Sequence, residues 1–287
     1  MTRIVYVNGQ YRNYANAFVH AEDRGFQFGD AVYEVCEVRD GCLIDERRHM
    51  LRLARSLSEL AIAQPMSDGA WRRVLRETVR RNRVRNGFVY LQVSRGAAPR
   101  DFLFSGVEMS PTVVCLARSS DPAKQLMAVE TGIRVITHEE TRWARRDIKT
   151  VMLLPASLAK EKAKTRNAQE VWFVDCEGMV LEGGSSNAWI ITASGELVTR
   201  PADTAILRGV TRMALLDTIE RLGLKFTERA FSLAEAYAAN EAFVTSATSI
   251  VMPVVQIDEH VIGDGRPGPQ LQKLRAAFCE NAEASCM

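Results

Sequence analysis

Hydrophobic and polar positions change period several times along the chain, and each change predicts an element. Residues 4–8 alternate and end at Asn8-Gly9, the signature of a strand entering a hairpin turn. Residues 21–30 form a polar-aromatic stretch with two glycines, read as a loop. A strand follows over 31–38, turning at Asp40-Gly41 into Cys42-Leu43-Ile44. Period-2 geometry sets Tyr33, Val35 and Glu37 on one face of it. Helical spacing of Met50, Leu51, Leu53, Leu57 and Leu60 predicts a helix over 46–63, stopped by Pro65. A second helix is expected over 67–85, capped by Ser67 or Asp68. Strands at 88–94 and 112–117 close this half. Residues 118–132 turn polar around Ser119-Ser120-Asp121-Pro122 and read as a linker, with a new strand from Ile133. The second half is expected to hold a helix over 153–166 and a hairpin pairing 170–174 with 179–181. A helix over 211–222 stopping at Gly223 and a strand from Phe243 complete the pattern. The boundaries predict a small N-terminal domain, 1–118, a linker, 119–132, and a larger C-terminal domain, 133–287.

Composition narrows the class. The 287 residues are 47% apolar and 25% charged with a net charge of +2, the balance of a folded globular protein rather than a disordered or nucleic-acid-coating one. No apolar run approaches the ~20 residues of a membrane span, and no secretory signal opens the chain, so no membrane partner and a cytoplasmic location are expected. The six cysteines (Cys36, Cys42, Cys115, Cys176, Cys279, Cys286) form no CxxC pair and have no histidine at ligand spacing. Reduced thiols and no metal site are expected. The arginine run from Arg72 to Arg85 is interrupted by Glu77 and lacks interleaved aromatics, which reads as a solvated helix face and not as a nucleic-acid surface.

Candidate chemistry gathers in the second half. Asp147-Ile148-Lys149-Thr150-Val151-Met152-Leu153-Leu154 sets one lysine among apolar and β-branched residues, on or beside a buried strand. Two readings are open: a lysine snorkelling from a strand end, or an amine neutralised by burial and suited to a Schiff base with a carbonyl. Glu182-Gly183-Gly184-Ser185-Ser186-Asn187 combines free backbone, hydroxyls and one carboxylate, the makings of an anion cradle or of an ordinary turn. Leu207-Arg208-Gly209-Val210-Thr211-Arg212 opens a helix whose start either binds a phosphate or is simply capped by Thr211. The run 243–249 carries a strand into hydroxyls. Tyr33 is either a packed aromatic or a pocket hydroxyl. No Walker A, GxGxxG or HExxH motif occurs, so ATP, dinucleotide and zinc-protease chemistry lack support. One lysine, one carboxylate and several phosphate-type loops together suggest pyridoxal phosphate (PLP).

These stretches, with Asp23-Arg24-Gly25-Phe26-Gln27-Phe28-Gly29-Asp30-Ala31-Val32-Tyr33-Glu34, His49-Met50-Leu51-Arg52-Leu53 and Thr245-Ser246-Ala247-Thr248-Ser249, resemble the fold-type IV PLP enzymes, most closely the D-amino-acid aminotransferases. They span nearly the whole chain in the family's order. The resemblance implies a two-domain α+β fold with a barrel-like core in the larger domain and the cofactor in the interdomain cleft. It implies that Lys149 is the Schiff-base lysine and moves the α-proton, and that Glu182 pairs with the pyridine nitrogen. It places Arg52, Val210, Thr211 and Thr248 at the phosphate, Ser185 and Ser186 along the cofactor, and Leu207 on its ring. Tyr33 and Arg100 match positions that grip the substrate carboxylate. A homodimer, each site completed by the neighbouring subunit, is implied as well.

The resemblance also has departures. Phe102 stands where the D-amino-acid enzymes generally carry a histidine, and Glu37 where a well-known member has lysine. Gly184 replaces a serine, a change worth one hydrogen bond, about 0.5–1.5 kcal/mol. The expected reaction moves an amino group from a D-amino acid to 2-oxoglutarate or pyruvate. Rivals on the same scaffold are a branched-chain aminotransferase, an (R)-amine transaminase and a 4-amino-4-deoxychorismate lyase.

Overall fold

The computed structural model describes residues 3–104 and 106–286. The chain divides into two compact units: 1–121 with 148–152 and 283–287, and 122–147 with 153–282. In the first unit, β1 (Ile4–Val7) and β2 (Gln10–Asn13) form the expected hairpin, with Asn8 at a φ of 45°. A short helix, α1 (Arg24–Phe28), occupies the stretch read as loop. The Asp23 carboxylate caps it by accepting from the Gly25 N–H, a local bond that hydrophobic periodicity does not register. Then come β3 (Ala31–Arg39), β4 (Cys42–Ile44), α2 (Glu46–Glu59), α3 (Asp68–Arg81), β5 (Gly87–Ser94) and β6 (Thr112–Ser119). Ser67 caps α3 through the Ala70 N–H.

The period of two along β3 decides which side is core. Val32, Glu34, Cys36 and Val38 are buried, whereas Tyr33, Val35, Glu37 and Arg39 are half-buried. The buried side packs on α2, and α3 covers β5, β6 and β1. Leu53, Leu57, Trp71, Leu75 and Val79 supply the helical half of this core. Three arginines of α3 are paired: Arg80 and Arg81 both bind Glu77 on the same helix, and Arg76 binds Glu46 of α2.

The second unit begins inside the expected linker, because 122–131 is a helix, α4 (Pro122–Thr131), started by a proline whose missing N–H costs a first turn nothing. Ala128 and Val129 on α4 pack against the unit's core. Next are β7 (Ile133–Glu139), α5 (Leu154–Thr165), β8 (Glu170–Val174), β9 (Val180–Gly183), β10 (Asn187–Ile191), β11 (Leu197–Thr199), α6 (Val210–Arg221), β12 (Phe226–Glu228), α7 (Leu233–Tyr237), β13 (Glu241–Ser246), β14 (Ile250–Ile257), β15 (His260–Val261) and α8 (Pro269–Asn281). Among the described residues the sheet runs β12-β11-β10-β13-β14-β7-β8-β9, with β15 beside β14. Both faces are covered, so β10 is buried at every position. Trp189 and Ile191 pack with Leu215 and Ile219 of α6 and Leu271, Leu274 and Phe278 of α8. Ala188 and Ile190 face a second cluster with Trp172, Val198, Phe231 and Val244. Five consecutive buried residues with two opposite sets of neighbours are what a doubly covered strand requires.

The last strand, β16 (Ala284–Ser285), belongs to the first unit and pairs with β4, which makes that sheet β16-β4-β3-β5-β6-β1-β2. The pairing brings Cys286 to Cys42, and the two form a disulfide with Cα atoms 4.2 Å apart and 244 residues between them in sequence. This corrects the expectation of six reduced thiols. Spacing rules detect ligands or partners that are near in sequence, whereas here strand register made the pair. Cys36 and Cys115 are free and buried; burial raises the Cys115 thiol to about 12 and the Cys36 thiol well above its usual range. Among the described residues no helix is long and apolar enough to cross a membrane, and no group of three or more His, Cys, Asp or Glu could hold a metal ion.

Thiol titration of the denatured, unreduced protein is expected to find four of the six cysteines, rising to six after reduction. Six before reduction would refute the Cys42–Cys286 bond. In the native protein the exposed Cys176 is expected to react first.

Candidate active site

In the first unit the candidate chemistry is built along β3. Residues 149–151 run beside the start of that strand without forming a strand of their own. The Tyr33 N–H donates to the Lys149 carbonyl at 3.0 Å, and the Val151 N–H donates to the Ala31 carbonyl at 3.1 Å. Thr150 makes a single bridge to Val32. These bonds fix the backbone on either side of Lys149, and its side chain emerges on the half-buried face. There Nζ lies 4.2 Å from the centre of the Tyr33 ring. Tyr33 in turn stacks on Tyr90, with centroids 5.6 Å apart. Burial and the neighbouring Tyr33 raise the Tyr90 hydroxyl above its usual range, so it stays protonated and donates to Gln92 at 2.6 Å.

Across β3, Glu34 points into the core and meets α2. Its Oε1 accepts from Arg52 Nε at 2.7 Å, and its Oε2 accepts from Arg52 Nη2 at 2.8 Å. His49 Nδ1 is 2.7 Å from the same Oε2. All three residues are buried. Burial alone would lift the Glu34 pKa, but the guanidinium and the imidazole outweigh it and hold the carboxyl at about 2. Arg52, expected at a phosphate, is therefore aimed by a forked carboxylate pair. Sequence reasoning missed Glu34 and His49 as parts of this arrangement. A signal existed: alternation assigns Glu34 to the core face, and His49 and Arg52 share one helix face three residues apart.

Arg100 is exposed, 5.3 Å from the Phe28 ring centre and 6.0 Å from that of Phe102, itself 77% exposed. The buried Arg24 ties this loop down by donating to the Asp101 carbonyl at 2.7 Å. Glu37, the departure on the Tyr33 face, is neutralised locally by Arg39 at 2.8 Å.

In the second unit Glu182, on β9, is buried and fully engaged. Oε1 accepts from Arg142 Nη1 at 2.8 Å; Oε2 accepts from the Leu207 N–H at 2.9 Å and from Asn187 Nδ2 at 3.1 Å. Asn187 also donates to the Leu207 carbonyl at 2.8 Å, which ties β10 to the loop before α6. Burial raises Glu182 strongly, Arg142 and the Leu207 N–H pull it back, and Glu140 raises it again; the balance is about 7. Val210 and Thr211 begin α6 and are buried, and Leu207 is half-buried. Gly209 precedes them as a cap without a side chain. A Cβ at Gly209 would come within 2.1 Å of Asn187 Oδ1, so only glycine lets this helix start lie so near the Glu182 network. The hydroxyls of Ser185 and Ser186 both donate to Glu170 Oε2, at 3.1 and 3.0 Å, and Lys160 Nζ donates to Ser185 at 2.9 Å. Thr248 sits exposed in the turn joining β13 to β14, its carbonyl accepting from Gln125 at 2.9 Å. The structure thus joins Glu182 and Leu207 in one network, sets Val210 and Thr211 at the helix start that follows Leu207 in the chain, and commits the two serines to a separate network at Glu170.

The family model described as amino-transferase class IV matches residues 31–257. The chain belongs to that family. It is 37% identical over 274 residues to the D-alanine aminotransferase of Bacillus licheniformis, covering 96% of this chain and 95% of that one. Its fold matches the branched-chain amino acid aminotransferase of Escherichia coli with a TM-score of 0.89 at 23% identity, covering 98% of this chain and 95% of the other. A hypothetical aminotransferase from Mycobacterium tuberculosis, solved in its PLP-bound form, matches with a TM-score of 0.83 at 23% identity, over 96% and 97% of the two chains. The fold is therefore the fold-type IV aminotransferase fold, and the enzyme is a PLP-dependent aminotransferase.

The residues present fit that cofactor. The start of α6, where Gly209 brings no side-chain cap, would offer its first N–H groups and the Thr211 side chain to a phosphate. Glu182 would offer a buried carboxylate to a basic ring nitrogen. When bound, PLP supplies an electron sink for charge developing at a substrate carbon.

Replacing Glu34 by alanine leaves Arg52 and His49 buried without their carboxylate and is expected to cost about 3–5 kcal/mol in denaturant unfolding. The pH dependence has a definite sign. Glu34 is held below its ordinary 4.5, so its contribution is complete above that value and disappears as pH falls from 4.5 towards 2. A Glu34→Gln protein should show a correspondingly shallower loss of stability over that window.

Proposed function

We propose that this aminotransferase moves an amino group from a D-amino acid to a 2-oxo acid, 2-oxoglutarate or pyruvate, using PLP joined covalently to Lys149. The observation that carries the D-amino-acid assignment is similarity along 96% of the chain to a D-alanine aminotransferase. In this reading Lys149 binds the cofactor and moves the proton at the substrate Cα. The hydrogen bonds of residues 149–151 to β3 hold its backbone, and Tyr33 lies against its amine. Glu182 faces the ring nitrogen and Leu207 packs on the ring. The Val210 N–H, Thr211, Arg52 and Thr248 hold the phosphate, and Ser185 and Ser186 line the cofactor. Tyr33 and Arg100 bind the substrate carboxylate. The enzyme acts as a cytoplasmic homodimer, each substrate site completed by the neighbouring subunit.

One departure narrows the margin over a branched-chain reading: the exposed Phe102, two residues after Arg100, where the D-amino-acid enzymes generally carry a histidine. Side-by-side assays of D-alanine, D-glutamate, L-leucine and (R)-phenylethylamine against 2-oxoglutarate and pyruvate decide between them. Turnover of the two D-amino acids is expected. Turnover of L-leucine alone would replace the D-amino-acid assignment with the branched-chain one. Lys149→Ala is expected to lose the yellow colour of the covalently held cofactor and at least about 100-fold in turnover; an unchanged colour would remove Lys149 from its role.

A further inference from the structure

We infer that Arg142 is a positioning residue for the transamination, keeping Glu182 ionised and oriented towards the cofactor's ring nitrogen. This rests on the reading of Glu182 as the partner of that nitrogen. The ring nitrogen retains its proton only if the acid facing it is a carboxylate, since a neutral carboxyl offers no countercharge. Glu182 is buried, where ionisation is disfavoured unless a cation compensates. Two of its three donors, Asn187 and the Leu207 N–H, are neutral. Arg142 brings the positive charge, with Nη1 2.8 Å from Oε1.

The guanidinium is held for this purpose from several sides. Its Nε donates to both oxygens of Glu140, at 3.0 and 3.1 Å, and Nη2 donates to Glu140 Oε2 at 2.6 Å. The Arg142 N–H donates to Glu140 Oε1 at 2.7 Å. The Phe173 ring lies 4.2 Å from the guanidinium carbon. With one edge clamped on Glu140 and a face on Phe173, the remaining Nη1 is directed at Glu182. Among the described residues, the charged groups bonded around this carboxylate are Arg142, Glu140 and, 3.7 Å from Glu140, Arg146; the donors to it from β10 and the 207 loop are neutral. One guanidinium thus serves two carboxylates. Burial raises the Glu182 carboxyl and Arg142 holds it down, so losing Arg142 would move its protonation upward in pH.

The test follows the pH dependence of the bound cofactor's absorption, cofactor retention on dialysis, and kcat against KM in the holoenzymes. Arg142→Gln is expected to move the absorption titration and the acid limb of kcat upward by about 1–3 pH units, with faster cofactor loss at pH 7 and little change in KM. Arg142→Lys, which retains the charge, should restore most of the shift. Glu140→Gln should move the titration down, because a competing negative charge is gone; this variant decides the matter if Arg142→Gln does not fold. Glu182→Gln should change the absorption titration and weaken retention. If Glu182→Gln changes neither absorption nor retention, the role assigned to Glu182 fails. If Glu182→Gln alters them while Arg142→Gln and Glu140→Gln titrate like the parent, the inference about Arg142 fails alone.

Discussion

A carboxylate buried inside a protein must either find a cation or accept a proton, and Glu34 in one unit and Glu182 in the other meet that constraint differently. Glu34 has the whole fork of Arg52 and a histidine besides, and it stays ionised down to about pH 2. Glu182 shares Arg142 with Glu140 and titrates near 7. Burial is similar in the two cases; the difference lies in how many negative groups divide one guanidinium. The first arrangement suits a permanent anchor that aims an arginine. The second leaves a group whose charge is set by how two carboxylates share one cation.

Local packing prepares the remaining chemistry. Lys149 lies in an irregular stretch, yet backbone bonds to β3 hold it on both sides, which gives a loop residue the placement of a strand residue. Gly209 works by absence: a side chain there would displace Asn187, and with it one of the donors to Glu182. Around the acid, each hydrogen-bond partner is itself held by another, the condition under which a polar site stays oriented without solvent.

The two kinds of likeness carry different weight. Solved branched-chain enzymes share the fold at 23% identity, and at that distance the backbone is what is shared. The D-alanine aminotransferase of Bacillus licheniformis shares sequence along almost the full chain. At the positions proposed to meet the substrate carboxylate, an exposed Arg100 stands with Phe102, and Glu37, near Tyr33 in sequence, is neutralised by Arg39.

The alternation of β3, the stripe of α2, the cap of α3, the start of α6 and the motif around Lys149 were legible in the sequence. Each depends on residues within a few positions of one another, and local geometry determines which way they face. The stretch over 21–30 read as loop because its helix is one turn long and held by a cap. The stretch over 119–132 read as linker because α4 buries little and so shows weak periodicity. Only the tertiary structure decided that Cys286 meets Cys42, that Glu34 is the carboxylate aiming Arg52, and that Arg142 is divided between Glu140 and Glu182. These pairings join residues brought together by strand order and burial, and the energy of a buried charge depends on neighbours that no spacing along the chain records.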